Sequence, residues 1–435
     1  MEDMVIISVD DHISEPPDMF KHHLQGDDLA SAPQFHDING ANYWTYQGMT
    51  MTSVGLNAVV GRVPEEYGME PQSLAQVRKG CYDPKARLDD MNVNGIAASL
   101  NFGSMAGFDG SRCFHRAPDK AQALVHLRAY NDWHIQEWCA YDPGRFIACA
   151  ILPTWDMDAT VAEIKRVAAL GCTSVSLSDN PTTVGLPSIH NAYWEPMWRA
   201  LVEHNVAICL HIGSGNIAPH ASDETPIEAW ITTMPMSIAV GAADWLSLDA
   251  LNRYSDLKII LSESGIGWIP YFMERADFSH ARHKAWTHSG FNGRKPSEVF
   301  RDHFMCCFID DAFGLQNLAA IGEDIVAYEC DYPHSDALWP EVPEFLWQSV
   351  QGLSPLQIDK VTHLNAARYL NFDVFAKYQR EQINVGALRA KAAADGVDVT
   401  PISTGGAAPL EEGEAKRPIT SGDIMRMMSK QAKVA

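Results

Sequence analysis

The chain has 435 residues, of which 46% are hydrophobic, 9% aromatic and 20% charged. That balance is globular, and it excludes a collagen, a disordered tail or a coiled coil over most of the length. Thirty-three Lys and Arg against 55 Asp and Glu give a formal charge of -22. Nucleic-acid binding needs clustered positive charge and is not expected. No stretch approaches the roughly 18 unbroken apolar residues of a membrane helix, so no membrane association is expected. The opening Met1-Glu2-Asp3-Met4 also lacks the basic start of a signal peptide. Nine scattered Cys with no CxxC read as reduced thiols, which predicts a cytoplasmic protein.

The first apolar run of strand length, 5–9, ends in Asp10-Asp11-His12. The segment that follows, 34–80, is too long for one crossover helix. It carries Tyr43-Trp44-Thr45-Tyr46 and a Gly/Met/Thr-rich stretch, which predicts an inserted hairpin, either a lid on the barrel mouth or a packed surface insertion. Seven more runs come at 96–102, 146–152, 173–177, 206–210, 257–261, 304–309 and 325–330. Several are rich in Val and Ile on both faces, as strands buried on both sides should be. Helical patterns lie between them, for example 158–170, stopped by Gly171, and 195–203. Eight strands alternating with helices over residues 1–380 predict an α/β fold, a (β/α)8 TIM-type barrel rather than a doubly wound open sheet. From 381 to 435 the composition turns to Ala, Gly, Pro and charges. A linker at 404–409 and a short helix at 421–431 predict a flexible tail, or an arm embracing a second subunit.

Three runs deliver metal-type ligands at the same depth: Asp10 and His12 after the first, His211 after the fifth and Asp331 after the eighth. The C-terminal ends of barrel strands converge on one face, so these side chains would surround one point. Alternation along a strand puts Asp10 and His12 on one side and Asp11 on the other. Two carboxylates and two imidazoles with room for water suit a catalytic divalent cation, which lowers the pKa of bound water and polarises a carbonyl. Each signal alone is weak, but their joint occurrence on three strands is not expected by accident. Gly213-Ser214-Gly215-Asn216-Ile217-Ala218 matches a dinucleotide loop, but Pro219 falls where the helix should run, so a loop lining the metal site is expected instead. His334 is a candidate substrate or proton contact. Asp310 or Asp311 could orient a ligand His. Trp268, Phe102 and Ser214 are candidates for the substrate pocket, and Trp133 and Trp339 are weaker ones. Arg87 could grip an acidic substrate, although its context suggests local pairing at a helix start.

At this point the sequence resembles the amidohydrolase-related metal-dependent hydrolases, in the branch that includes aminocarboxymuconate-semialdehyde decarboxylase and the resorcylate decarboxylases. The resemblance covers roughly 4–375. It rests on Val9-Asp10-Asp11-His12 with Glu15-Pro16, Arg87-Leu88-Asp89-Asp90-Met91, Tyr130-Asn131-Asp132-Trp133 and His211-Ile212-Gly213. Further on, Glu263-Ser264-Gly265-Ile266-Gly267-Trp268-Ile269-Pro270, Asp331-Tyr332-Pro333-His334 and Asn365-Ala366-Ala367-Arg368 extend it. It implies that Asp10, His12, His211 and Asp331 are metal ligands, that the metal is usually zinc or manganese, and that the chain is commonly a homodimer.

One position departs from that pattern. Decarboxylating members of the family carry a His where Glu263 stands. A carboxylate beside Asp10 and Asp331 is expected either to act as general acid/base with a raised pKa or to bind a second metal. Simple pairing with a cation such as Arg275 is the structural alternative. Either chemical role favours activated water. The expectation is a metal-dependent hydrolase acting on an ester, amide, lactone or thioester of a small apolar or aromatic acid derivative. In it Asp331, Glu263 and His334 are catalytic, Glu263 adds a fifth ligand, and one or two zinc, manganese or iron ions are bound. The alternative is non-oxidative decarboxylation of an aromatic or unsaturated acid, with Asp331 delivering the proton. A complete ligand set argues against a non-catalytic scaffold.

Overall fold

The computed structural model describes residues 1–52, 55, 57–67, 71–403 and 417–426. Eleven strands occur among them. They are β1 (Ile6–Ile13), β2 (Gln34–Ile38), β3 (Ala41–Tyr46), β4 (Met49–Met51), β5 (Ile96–Gly103), β6 (Phe146–Ile151), β7 (Ser174–Leu177), β8 (Ala207–His211), β9 (Ile259–Ser262), β10 (Phe304–Phe308) and β11 (Val326–Tyr328). Eight of them form one parallel sheet in the order β1-β5-β6-β7-β8-β9-β10-β11. It closes on itself just past β11, where the Asp331 N–H donates to the Asp10 carbonyl at 2.9 Å and the His12 N–H to the Tyr332 carbonyl at 2.6 Å. The eight predicted runs are these eight strands.

Alternation divides each strand between two cores. Ala207 and Cys209 on β8 and Ile260 on β9 fill the barrel interior together with Val5, Ile7 and Met305. Their neighbours Ile208, Leu210, Ile259 and Leu261 face outward against the helices. Burial on both faces explains why the strands read as unbroken apolar runs; each buried Val, Ile or Leu contributes about 1.5–3 kcal/mol. The covering helices start at side-chain caps. Asp156 accepts from the Ala159 N–H to open Met157–Ala169, and Asp83 from Ala86 to open Pro84–Val93.

Between β1 and β5, strands β2–β4 form a separate antiparallel sheet. At the other end, Val385–Ala394 is a helix whose first N–H bonds the Met4 carbonyl at 2.9 Å. Ile402 pairs with Gly61 at 3.0 Å, and the Ile227 and Ser421 N–H groups tie 417–426 to the loop after β8, both at 2.9 Å. Residues 421–426 are helical; the expected linker at 404–409 and the end of that helix lie outside the described residues. Among the described residues no helix is long and apolar enough to cross a membrane. All nine cysteines are free and buried.

Candidate metal centre

Simple alternation does not by itself aim the predicted ligands inward. Val9 belongs to the interior cluster, so Asp10 should face outward. The β1–β5 register slips between Ser8 and Asp11, and this bulge turns Asp10 and His12 into the barrel mouth. Asp11 points the other way, accepting from Ser8 Oγ at 3.0 Å and the Tyr332 N–H at 3.1 Å. His211 ends β8 in ordinary alternation, and Asp331 follows Ala327 inward by steps of two. Glu263 and Asp331 both sit in left-handed backbone, at φ 51° and 56°. Such a conformation costs a non-glycine residue roughly 1–3 kcal/mol and is held only where the surroundings over-determine it. The Glu263 N–H is fixed by Glu329 Oε2 at 3.0 Å, and that of Asp331 by the strand-closing bond to Asp10.

The side chains meet at His12 Nε2. It lies 3.3 Å from Asp10 Oδ1, 3.2 Å from Asp331 Oδ1, 3.3 Å from Glu263 Oε1 and 3.3 Å from His211 Nε2. His211 Nε2 is also 3.3 Å from Asp10 Oδ2 and 3.0 Å from Glu263 Oε1. Its Nδ1 must donate to the Ile212 carbonyl at 2.6 Å, because a carbonyl only accepts, and this leaves Nε2 as a bare lone pair. One ring nitrogen cannot donate to three carboxylates and face a second imidazole at once; a shared cation resolves that geometry. The ligand atoms of Asp10, His12, His211 and Glu263 lie within 4.8 Å of one another, as do those of His12, Glu263, Asp331 and His334. Asp10 Oδ1, Asp10 Oδ2 and Asp331 Oδ1 are buried without a hydrogen-bond partner. These oxygens and imidazoles fit a divalent cation.

Charge in the site is out of balance without one. Burial raises the Asp10 carboxyl well above its usual range, and Glu263, Glu329 and Asp331 push it further. Burial, then Glu263, does the same to Asp331. Burial pushes Glu263 up too, but the His211, His12 and His334 imidazoles outweigh it and hold the carboxyl well below its ordinary value. The expected raised pKa of Glu263 is therefore corrected: its Oε1 is engaged by imidazoles. Arg275 is not its partner, and stacks over Phe278 instead.

The other candidates divide. His334 stacks on His12 with ring centres 3.9 Å apart, and its Nδ1 is 2.7 Å from Asp331 Oδ1 but off the hydrogen-bonding direction. Phe102 is buried, 5.2 Å from the His211 ring. Ser214 instead donates to the His211 carbonyl at 2.7 Å and accepts the Asp179 N–H, which fixes the turn after β8. In that turn a Cβ on Gly215 would fall 2.5 Å from Asp179 and 2.6 Å from the Asn180 nitrogen, so packing requires this glycine. Trp268 donates to the Ser264 carbonyl at 2.8 Å and packs on Phe272, away from the cleft. Trp133 and Trp339 are core residues. Neither Asp310 nor Asp311 orients a histidine; Asp311 accepts the Ile266, Gly267 and Gly314 N–H groups. Arg87 is fully buried in its helix, bonded to the His12 and Gly80 carbonyls.

Phe108, which the sequence reading passed over, lies 3.8 Å from the His211 ring. A cleft of about 310 Å³ opens beside Glu263, walled by Ile212, Ile231, Met234, Pro235, Phe308 and Leu338. Two larger surface clefts, of about 970 and 750 Å³, include none of the clustered residues in their walls.

Comparison with known proteins gives the same placement. A family model described as Amidohydrolase matches residues 44–372. The chain is 26% identical over 277 residues to γ-resorcylate decarboxylase of Rhizobium sp. (strain MTP-10005), covering 59% of this chain and 79% of that one. It is 21% identical over 322 residues to 2-amino-3-carboxymuconate-6-semialdehyde decarboxylase of Dictyostelium discoideum, covering 68% and 79%. Among solved structures, an amidohydrolase from Mycobacterium avium subsp. paratuberculosis K-10 matches with TM-score 0.66 and 20% identity over 84% of this chain and 99% of that one. A dihydroxybenzoic acid decarboxylase from Polaromonas sp. JS666, solved with manganese and 2-nitroresorcinol, matches with TM-score 0.55 and 18% identity over 84% and 97%. These findings overturn the expected hydrolase, because the relatives named are decarboxylases. The physical error lay in judging Glu263 by residue type: its Oε1 sits inside the ligand cluster, 3.0 Å from His211 Nε2 and 3.3 Å from His12 Nε2. The chain belongs to the amidohydrolase family, whose model spans well over half of it.

Proposed function

We propose that this protein is a metal-dependent, non-oxidative decarboxylase of an aromatic or unsaturated carboxylic acid. The observation that carries the reading is the convergence of Asp10, His12, His211, Glu263 and Asp331 at the strand ends, with three buried carboxylate oxygens lacking partners. When bound, a divalent cation, for which manganese is favoured by the Polaromonas relative, supplies the positive charge that anchors an acid and its neighbouring hydroxyl.

The chain's own groups do the rest. Asp10, His12, His211 and Asp331 would hold the ion, and Glu263 would add a ligand. Asp331, at the strand end beside the reacting carboxylate, would deliver a proton to the carbon bearing that carboxylate. As that C–H bond forms, the C–C bond breaks and carbon dioxide leaves. His334, its Nδ1 2.7 Å from Asp331 Oδ1, would return the proton once its ring turns onto the hydrogen-bonding direction. Phe102, Phe108 and the apolar cleft wall exclude water from the developing charge. Exposed Tyr271, Phe278 and Trp286 on the helix Ile269–Thr287 support a homodimer.

The test is carbon dioxide release from 2,6-dihydroxybenzoate and related hydroxybenzoates by manganese-loaded enzyme, with Asp331→Asn as control. Stoichiometric release lost in the variant supports the reading. No release from any aromatic or unsaturated acid would overturn it.

A further inference from the structure

We propose that the cleft beside Glu263 makes the enzyme selective for a substrate with a single anionic group. It takes an uncharged ring bearing hydrogen-bond donors and rejects a second carboxylate at the far end. The inference rests on the decarboxylase reading, which places the reacting carboxylate at the strand-end cluster. About 310 Å³ suits one ring, and Ile212, Met234, Phe308 and Leu338 offer it apolar walls.

Among the described residues every charged side chain in the lining is acidic: Glu263, Asp310, Asp311, Glu329 and Asp336, with no Lys, Arg or His. A carboxylate leaving water needs a cation or several N–H donors. Three backbone donors of the turn at Glu263 are already committed. The Ile266 and Gly267 N–H groups bond Asp311 at 2.7 and 2.6 Å, and the Glu263 N–H bonds Glu329 at 3.0 Å. A second anion would therefore meet carboxylates with no basic side chain among the described lining residues to offset them, which is specificity built by repulsion. A hydroxyl or amino substituent, by contrast, finds carboxylate acceptors.

The test compares binding of salicylate and of 2-hydroxyterephthalate, the same ring with a second carboxylate opposite the first, to manganese-loaded enzyme by calorimetry at low salt. Salicylate is expected to bind at least about tenfold tighter, and the Asp310→Asn/Asp336→Asn double variant to shrink that ratio to about threefold or less, since each lost charge removes repulsion. Equal or tighter diacid binding by the wild type would overturn the proposal without recourse to the variant. So would a ratio unchanged in the folded double variant, or no binding of either acid. If the ratio holds while no acid releases carbon dioxide, the selectivity stands and the decarboxylase reading falls.

Discussion

Glu15 should make stability depend on pH in a way that one substitution removes. It lies just past β1, is 1% exposed and has no cation beside it. Its Oε1 accepts from the Ser104 N–H and Tyr130 O–H and its Oε2 from the Met105 N–H, each at 2.9 Å. Burial dominates those hydrogen bonds and pushes the carboxyl from 4.5 to about 7. A raised carboxyl binds its proton more tightly folded than unfolded. Its contribution is therefore fully present below pH 4.5 and lost as pH rises through about 7. At about 1.4 kcal/mol per tenfold, the loss is about 3 kcal/mol. Glu15→Gln cannot ionise and leaves the Met105 N–H short of an acceptor, costing about 1–3 kcal/mol at every pH. Urea denaturation of both proteins in EDTA should show the wild type ahead near pH 4.5, with the gap closing by about 3 kcal/mol by pH 8. A gap that is constant, or that widens as pH rises, would refute the reasoning.

Asp10→Asn should weaken manganese binding on the order of 100-fold or more by calorimetry, while raising the Tm of the metal-free chain, because it removes a buried carboxylate facing two others. Arg87→Ala should cost about 3–5 kcal/mol in urea, since it strands buried Asp11, 4.0 Å away, and frees the His12 carbonyl. Asp311→Ala should cost about 2 kcal/mol or more and lower kcat, because two N–H groups in the turn after Glu263, and that of Gly314 in the helix Asp311 caps, lose their acceptor; unchanged kcat would show that the turn does not position Glu263.

The barrel was legible because burial on both faces writes each strand as an apolar run, and the ligands because polar residues interrupt those runs at one depth. What local sequence does not show is backbone conformation at the strand ends. Alternation from Val9 would have turned Asp10 outward, and only a register slip against β5 brings Asp10 and His12 inside. The left-handed backbone at Glu263 likewise decides what its carboxylate touches, so its chemistry was misjudged from its type alone. Ser214 and Trp268 were chosen by nearness in sequence to ligands, yet both are consumed by backbone hydrogen bonds. Phe108 was missed because it arrives on a loop. That loop is fixed at its start by Glu15, where Gly103 is needed because a Cβ would meet Tyr130 Oη at 1.7 Å.

The central claim is that the strand-end cluster binds a divalent ion and uses it to remove carbon dioxide. It is tested most directly by following carbon dioxide and the protonated ring product together, from hydroxybenzoates, with manganese-loaded wild type and His211→Ala. Equal amounts of both products from the wild type, lost with the metal in the variant, are predicted. A wild type that binds manganese yet hydrolyses esters or lactones and releases no carbon dioxide would contradict the account.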